Sequence, residues 1–204
     1  MSDVTVKRRS LLGAAGLWAA SPLYAQAASP KSRVAIQTAQ GLIIVELEVD
    51  RAPITSANFL RYVDAHKYDG GAIYRASRKR GVPGAGSIQG GPAPRFRHFA
   101  PIAHESTRTT GLKHKTGTIS MARNAPGTAT SDFFICASPA PFLDAHPGAP
   151  GDNQGFAAFG TVVQGLDVVR RILALPTTGT ALTPGMRGEM LNPPVQIVSM
   201  KRSS

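Results

Sequence analysis

At 204 residues and 42% hydrophobic content, the chain can bury one sizeable core and is short for two, so a single domain is the default. One cysteine, Cys136, excludes any intramolecular disulfide, and its apolar neighbours in DFFICAS mark it as a small buried hydrophobe rather than a nucleophile or ligand. The net charge of +11 invites a nucleic-acid partner, but the basic residues are scattered apart from Arg75, Arg78, Lys79 and Arg80 and the strip Arg108, Lys113 and Lys115, with no tight basic run interleaved with aromatics, so attraction to anionic surfaces is the milder reading.

Residues 1–27 are set aside as an export signal. Lys7, Arg8 and Arg9 precede a mildly apolar run at 11–20, and the small-residue pattern Ala25, Gln26, Ala27 marks a cleavage site near Ala27. The paired arginines resemble the twin-arginine type, with ordinary secretion as the alternative. The run falls short of the roughly 20 apolar residues that span a bilayer. Without these residues the chain keeps a charge of +9. The expected setting is therefore the periplasm, with no membrane and no nucleic acid as partner, and a monomer.

The mature chain opens with RVAIQTAQGLIIVELEVD (33–50), two β-rich runs around a break at Gln40 and Gly41, which is the pattern of a hairpin. In the following APITSANFLRYVDAHKY, Pro53 sits near a first helical position and Ile54, Ala57, Leu60 and Val63 form one stripe of an amphipathic helix. Short strands are expected at 71–77, 87–91, 117–123, 132–138 and 156–164, a second helix over LDVVRRILAL with Val168, Val169, Ile172 and Leu173 inward, and a last strand over PVQIVSMKR. Many short strands with few helices point to a mainly β fold, an antiparallel sheet closed into a barrel because closure removes unpaired edges.

Read together, YDGGAIYR (68–75), SIQGG (87–91), HKTGTISMAR (114–123), ATSDFFICAS (129–138), FLD (142–144) and FAAFGTVVQGLDVVRRI (156–172) resemble, in order and spacing, a cyclophilin-type peptidyl-prolyl isomerase. The resemblance implies an eight-stranded antiparallel β-barrel capped by two helices. It also implies a groove outside the barrel for an extended Xaa-Pro segment of a proline-containing polypeptide, and no cofactor or metal. It places Arg75 as the catalytic group and Gln89 as the polar partner that orients it. Phe134 becomes the aromatic floor of the proline pocket, Leu143 a side wall and Phe142 the adjoining aromatic, while Ala122, Arg123 and Asn124 form the strip that bonds the substrate backbone. Phe156 matches a rim position that is usually histidine. The loop at 123–131, rich in small residues, would be a groove wall that lets an extended peptide approach as an added strand does.

Three departures accompany this match. Thirteen residues lie between Arg75 and Gln89, more than the family usually has. Gly86 and Ser87 stand where a Phe-Met pair usually lines the pocket, which leaves Val82 or Pro83 to rebuild that wall. Asp132 replaces a glutamine that helps hold the substrate, and its alternative is to pair with a nearby arginine. These departures keep open a peptide-binding or chaperone module with little catalysis.

Other readings of the same residues are weaker. GVPGAGSIQGG lacks the G-x-G-x-x-G spacing of a nucleotide loop. The histidines at 98, 104 and 114 match no ligand spacing. Ser120 near His114 lacks a nucleophile elbow. Arg78, Lys79 and Arg80 read as a solvated loop tip, or as a steering patch for acidic clients.

Overall fold

The computed structural model describes residues 1–2 and 32–203, so the export signal expected at 1–27 lies almost wholly outside the described residues. Eight strands form a closed antiparallel barrel: β1 (Ser32–Thr38), β2 (Gly41–Leu47), β3 (Ala72–Arg78), β4 (Gly86–Gly91), β5 (Thr118–Met121), β6 (Phe133–Cys136), β7 (Ala157–Gln164) and β8 (Met190–Ser203). The order around the barrel is β1-β2-β7-β5-β6-β4-β3-β8. Three helices accompany it, α1 (Pro53–Asp64), the one-turn α2 (Thr107–Thr110) and α3 (Leu166–Ala174). The fold is the expected one, with the single turn of α2 as an addition.

Alternation builds the interior. Val34 and Ile36 of β1, Ile43, Val45 and Leu47 of β2, and Ile119 and Met121 of β5 are buried together, as period-2 strands with one face inward require. Helix α3 packs on β2, β3 and β4 through the four apolar residues expected of it.

Helix α1 departs from expectation. Ile54 and Ala57 face solvent, and the buried stripe is Thr55, Ser56, Asn58, Phe59, Leu60, Tyr62 and Val63. The rings decide the rotation of the helix. Phe59 meets Tyr68, Phe133 and Phe159 with centroids 5.2–5.7 Å apart, and a ring buries far more area than Ile54 would. Two of the three polar residues brought inward are bonded, Asn58 Nδ2 donating to the Thr130 carbonyl at 2.6 Å and Thr55 Oγ1 to Glu105 at 2.6 Å, while the Ser56 hydroxyl has no partner among the described residues. Glu105 also accepts from the backbone N–H groups of Ile54 and Thr55 at 3.1 and 2.7 Å. It thereby does the capping that Ala52 cannot do and sets a negative charge at the positive end of the helix.

Candidate active site

The site is assembled on the outside of the barrel by strand register. Arg75 of β3 lies opposite Gln89 of β4, and Gln89 lies opposite Phe134 of β6, so three adjacent strands set the three side chains in a row. Strict alternation would not put Arg75 there. Ile73 and Ala76 are both buried in the core, and residues between them must occupy the outer face. A bulge solves this: the β3/β4 register shifts between Ile73 and Arg75, so Tyr74 is the extra residue, and Tyr74 and Arg75 both turn outward. In β6 ordinary alternation holds, with Phe133 in the barrel core and Phe134 on the outer side, as the adjacent pair required.

Arg75 is held on two sides. Its Nη1 donates to Gln89 Oε1 at 2.8 Å. Its Nε donates to Glu189 Oε2 at 2.7 Å, with Nη2 2.6 Å from the same oxygen. Glu189 is itself pinned to β3, accepting from Ser77 Oγ at 2.9 Å while its backbone carbonyl accepts from the Ala76 N–H at 2.8 Å. The outer end of the guanidinium keeps N–H groups with no partner among the described residues. Beyond Gln89 the chain of bonds continues: Gln89 Nε2 donates to the Tyr74 hydroxyl at 2.8 Å, and that hydroxyl donates to Asp132 Oδ1 at 3.2 Å. Burial, with the neighbouring Asp132 charge adding to it, pushes the Tyr74 phenol well above its ordinary range, and burial raises the Asp132 carboxyl. Gly91 makes room for that carboxylate, since a Cβ there would lie 2.0 Å from Asp132 Oδ1.

These residues border a cavity of about 430 Å³. Arg75, Gln89, Ala122, Arg123, Asn124, Asp132, Phe134, Phe142, Leu143 and Phe156, the ten residues singled out from the sequence, all line it. Its floor is built from below. Phe134 packs edge-on against Phe156 with centroids 5.4 Å apart, and Ala122 and Leu143 pack on the same small cluster. Beneath it the His114 ring stacks at 5.8 Å, with an interplanar angle of 13°. His114 is fixed by Asp144 Oδ1 at 2.7 Å from Nδ1 and by Ser120 Oγ at 3.0 Å from Nε2. Burial lowers its pKa against the pull of Asp144, so the ring is neutral, with Nδ1–H toward the carboxylate and Nε2 accepting from Ser120. Ser120 is fully buried and unreachable by a substrate, which closes the hydrolase reading despite the serine, histidine and aspartate in a row. Burial likewise pushes the Cys136 thiol up to about 12.

Several expectations are corrected. Asp132 pairs with the Tyr74 hydroxyl and not with an arginine, because the bulge swings Tyr74 into the space above Gly91. Val82 and Pro83 do not line the cavity; they sit in the exposed turn, and Ser77, Ser87 and Met186 supply that wall instead. The Arg123 side chain is only 4% exposed and is spent on Asp152 at 2.8 and 2.9 Å and on the Gly155 carbonyl, its guanidinium lying 5.1 Å above the Phe156 ring. The strip also offers less backbone than expected, since the Ala122 N–H goes to the Asp132 carbonyl and the Asn124 N–H to Thr128 Oγ1. Phe142 stands at the rim, 73% exposed. Arg78 is no solvated tip: Nε donates to the Leu173 carbonyl at 2.7 Å and Nη2 to that of Leu175, at the negative end of α3.

Tyr74, Met186 and Glu189 escaped the sequence reading. Alternation places Tyr74 on the face opposite Arg75, and Met186 and Glu189 belong to a loop with no pattern of its own. A bulge is the only local signal, and the two glycines of SIQGG, opposite Ala72 and Ile73, are its faint trace. Among the described residues no cluster of metal-ligating side chains occurs, and no helix is long and apolar enough to cross a membrane.

Residues 33–202 match the family model described as cyclophilin type peptidyl-prolyl cis-trans isomerase/CLD. A peptidyl-prolyl cis-trans isomerase of Acinetobacter baylyi is 34% identical over 172 residues, covering 84% of this chain and 85% of the relative. Peptidyl-prolyl cis-trans isomerase B of Escherichia coli is 33% identical over 145 residues, covering 71% and 85%. The crystal structure of a cyclophilin type isomerase from Cryptosporidium parvum, obtained in the presence of the dipeptide Ala-Pro, superposes with a TM-score of 0.63 at 21% identity, covering 84% of this chain and 99% of that one.

Proposed function

Because the chain belongs to the cyclophilin-type peptidyl-prolyl cis-trans isomerases, we propose that it turns Xaa-Pro bonds in the cavity between Arg75 and Phe134, with Arg75 as the catalytic residue. Rotation about a peptide bond is slow because resonance gives it double-bond character, with a barrier of roughly 18–20 kcal/mol. Acceleration needs neither nucleophile nor proton donor, only a site that binds the twisted amide better than either planar form. As the bond twists, the prolyl nitrogen loses conjugation and its lone pair becomes a hydrogen-bond acceptor. A guanidinium aimed at that nitrogen bonds it in the transition state alone.

The observation that carries this reading is the fixing of Arg75 by Gln89 and Glu189 with its outer N–H groups unpartnered, on the border of a cavity floored by Phe134. Phe134, Leu143 and Phe156 receive the pyrrolidine ring, and Phe142 meets the segment beside it. Pre-fixing the side chain matters because it removes the ordering cost from the activated step. The substrates are proline-containing polypeptides. The arginine pair before a small-residue cleavage pattern supports action on chains folding in the periplasm.

The test is catalysed cis-to-trans exchange of a short Xaa-Pro peptide by wild type and Arg75→Ala. A charge-assisted hydrogen bond is worth about 1.5–3 kcal/mol, so the variant is expected to lose roughly 10- to 150-fold in rate while keeping its fold. Arg75→Lys is expected to fail as well, since an ammonium cannot hold Gln89, Glu189 and a substrate in one plane. A folded Arg75→Ala at the wild-type rate removes Arg75 from the mechanism.

A further inference from the structure

The bonds that run from Arg75 to Asp132 have a direction, and the direction follows from the chemistry of the far end. An ionised carboxylate accepts and never donates. With Asp132 ionised, the Tyr74 proton points at Oδ1, 3.2 Å away. With its proton so committed, the phenolic oxygen offers only lone pairs to Gln89, so the amide must present Nε2–H to it, at 2.8 Å. That choice turns Oε1 of the same amide toward Arg75 Nη1, at 2.8 Å. Reverse any member and the amide can flip, setting its N–H groups against those of the guanidinium.

We propose that Tyr74 and Asp132 are positioning residues that select the productive orientation of the Gln89 amide and through it aim Arg75. The proposal rests on the reading of Arg75 as the catalytic group. It reassigns Asp132, which stands where a substrate-holding residue is expected, from contact with the peptide to the end of a relay. Two features of the backbone serve the same arrangement: the bulge that turns Tyr74 to the outer face beside Arg75, and the glycine at 91 that admits the carboxylate. Tyr74 and Asp132 also border a neighbouring cavity of about 760 Å³ flanked by Pro92, Ala93 and Leu182. A direct contact of either residue with peptide lying there is the competing role, and it affects binding rather than turnover.

The experiment measures kcat and KM separately for exchange of an Xaa-Pro peptide by wild type, Tyr74→Phe, Asp132→Ala, Asp132→Asn, Gln89→Leu and the double variant Gln89→Leu/Tyr74→Phe, with thermal melting to confirm folding. Tyr74→Phe removes one oxygen and is expected to lower kcat by roughly 2- to 12-fold with KM unchanged, the equivalent of one neutral hydrogen bond. Asp132→Asn keeps an acceptor oxygen and is expected to recover most of what Asp132→Ala loses. In the Gln89→Leu background the loss of the hydroxyl is expected to cost nothing further, because the amide it orients is gone. A Tyr74→Phe effect confined to KM, or one that persists in full without Gln89, overturns the proposal. A wild type that does not accelerate exchange defeats the isomerase reading itself. The relay is then judged by the side-chain nitrogen resonances of Arg75, which shift in Tyr74→Phe if it exists and stay in place if it does not.

Discussion

Glu189 gives the sharpest test of how Arg75 is held. Replacing it by alanine removes the contacts of 2.6 and 2.7 Å to the guanidinium and leaves Gln89 as its one remaining partner. Two effects compete. The lost carboxylate had offset the positive charge of Arg75, so its removal strengthens the field at the substrate. It had also fixed a long side chain, whose rotamer freedom is worth about 1.5–2 kcal/mol when fully restricted. With Gln89 still attached, about 1–1.5 kcal/mol of that returns to the variant, or roughly 5- to 12-fold in rate. The electrostatic gain is smaller, since both side chains are nearly a quarter exposed and water screens charge beyond the contact. Positioning wins, and Glu189→Ala is expected to lower kcat by roughly 5- to 12-fold, with Glu189→Gln between it and wild type. The readout is single-turnover exchange at saturating peptide. A Glu189→Ala enzyme as fast as wild type or faster refutes the reasoning and makes Glu189 a restraint on Arg75 rather than its support.

Three other outcomes follow from geometry elsewhere in the site. Hydrogen bonding from Arg123 lowers the pKa of Asp152 to about 2, so the carboxylate stays charged below its usual titration range and releases Arg123 only as pH falls through about 2. Carbon-detected NMR titration is expected to place it there, and to return it to its ordinary value in Arg123→Gln; an unmoved Asp152 in that variant rejects the clamp. Burial of His114 depresses its folded pKa below 6.5, so the unfolded chain takes up the proton first. Stability from this group is complete above about pH 6.5 and declines as pH falls, by at most about 1.4 kcal/mol per unit; denaturant unfolding of His114→Asn is expected to show a shallower slope, and an equal slope contradicts the assignment. Gly91→Ala drives a methyl to 2.0 Å from Asp132 Oδ1, which a swing of that one side chain relieves. Its melting temperature is therefore expected to move little while kcat falls to the level of Tyr74→Phe, and full activity in the variant speaks against the placement of the carboxylate.

Much of the site was legible because it lies on regular strands. Phe133 and Phe134 had to face opposite ways, and Gln89 had to follow the buried Ile88, so their outward places were fixed by period alone. What stayed hidden depends on breaks in that period or on distant segments. Tyr74 needed the bulge, Met186 and Glu189 needed the path of the 176–190 loop, and the engagement of Arg123 needed Asp152 to return from a long loop. Helix α1 was misread for a different reason. The burial of Phe59 and Tyr62 outweighs that of Ile54 and Ala57, and Thr55 and Asn58, carried inward with them, found partners that no local pattern announces.

The thirteen residues between Arg75 and Gln89 leave the site intact because their excess is spent beyond it. Strand β3 runs on to Arg78 and β4 begins at Gly86, so Ser77 pairs with Ser87 and Arg78 with Gly86 before the chain turns. The turn closes on itself, with the Lys79 N–H donating to the Ala85 carbonyl at 2.9 Å. Arg78 then ties its base to the last carbonyls of α3. A loop anchored at both strands and at a helix end cannot pull on the Arg75–Gln89 register, which is why the added length costs the cavity its expected Val82 or Pro83 wall and nothing else. That wall comes from Met186, and the same loop delivers Glu189 three residues later. The 176–190 loop thus completes the pocket and steadies Arg75 together, so its conformation and the placement of Arg75 are coupled through one short stretch of chain.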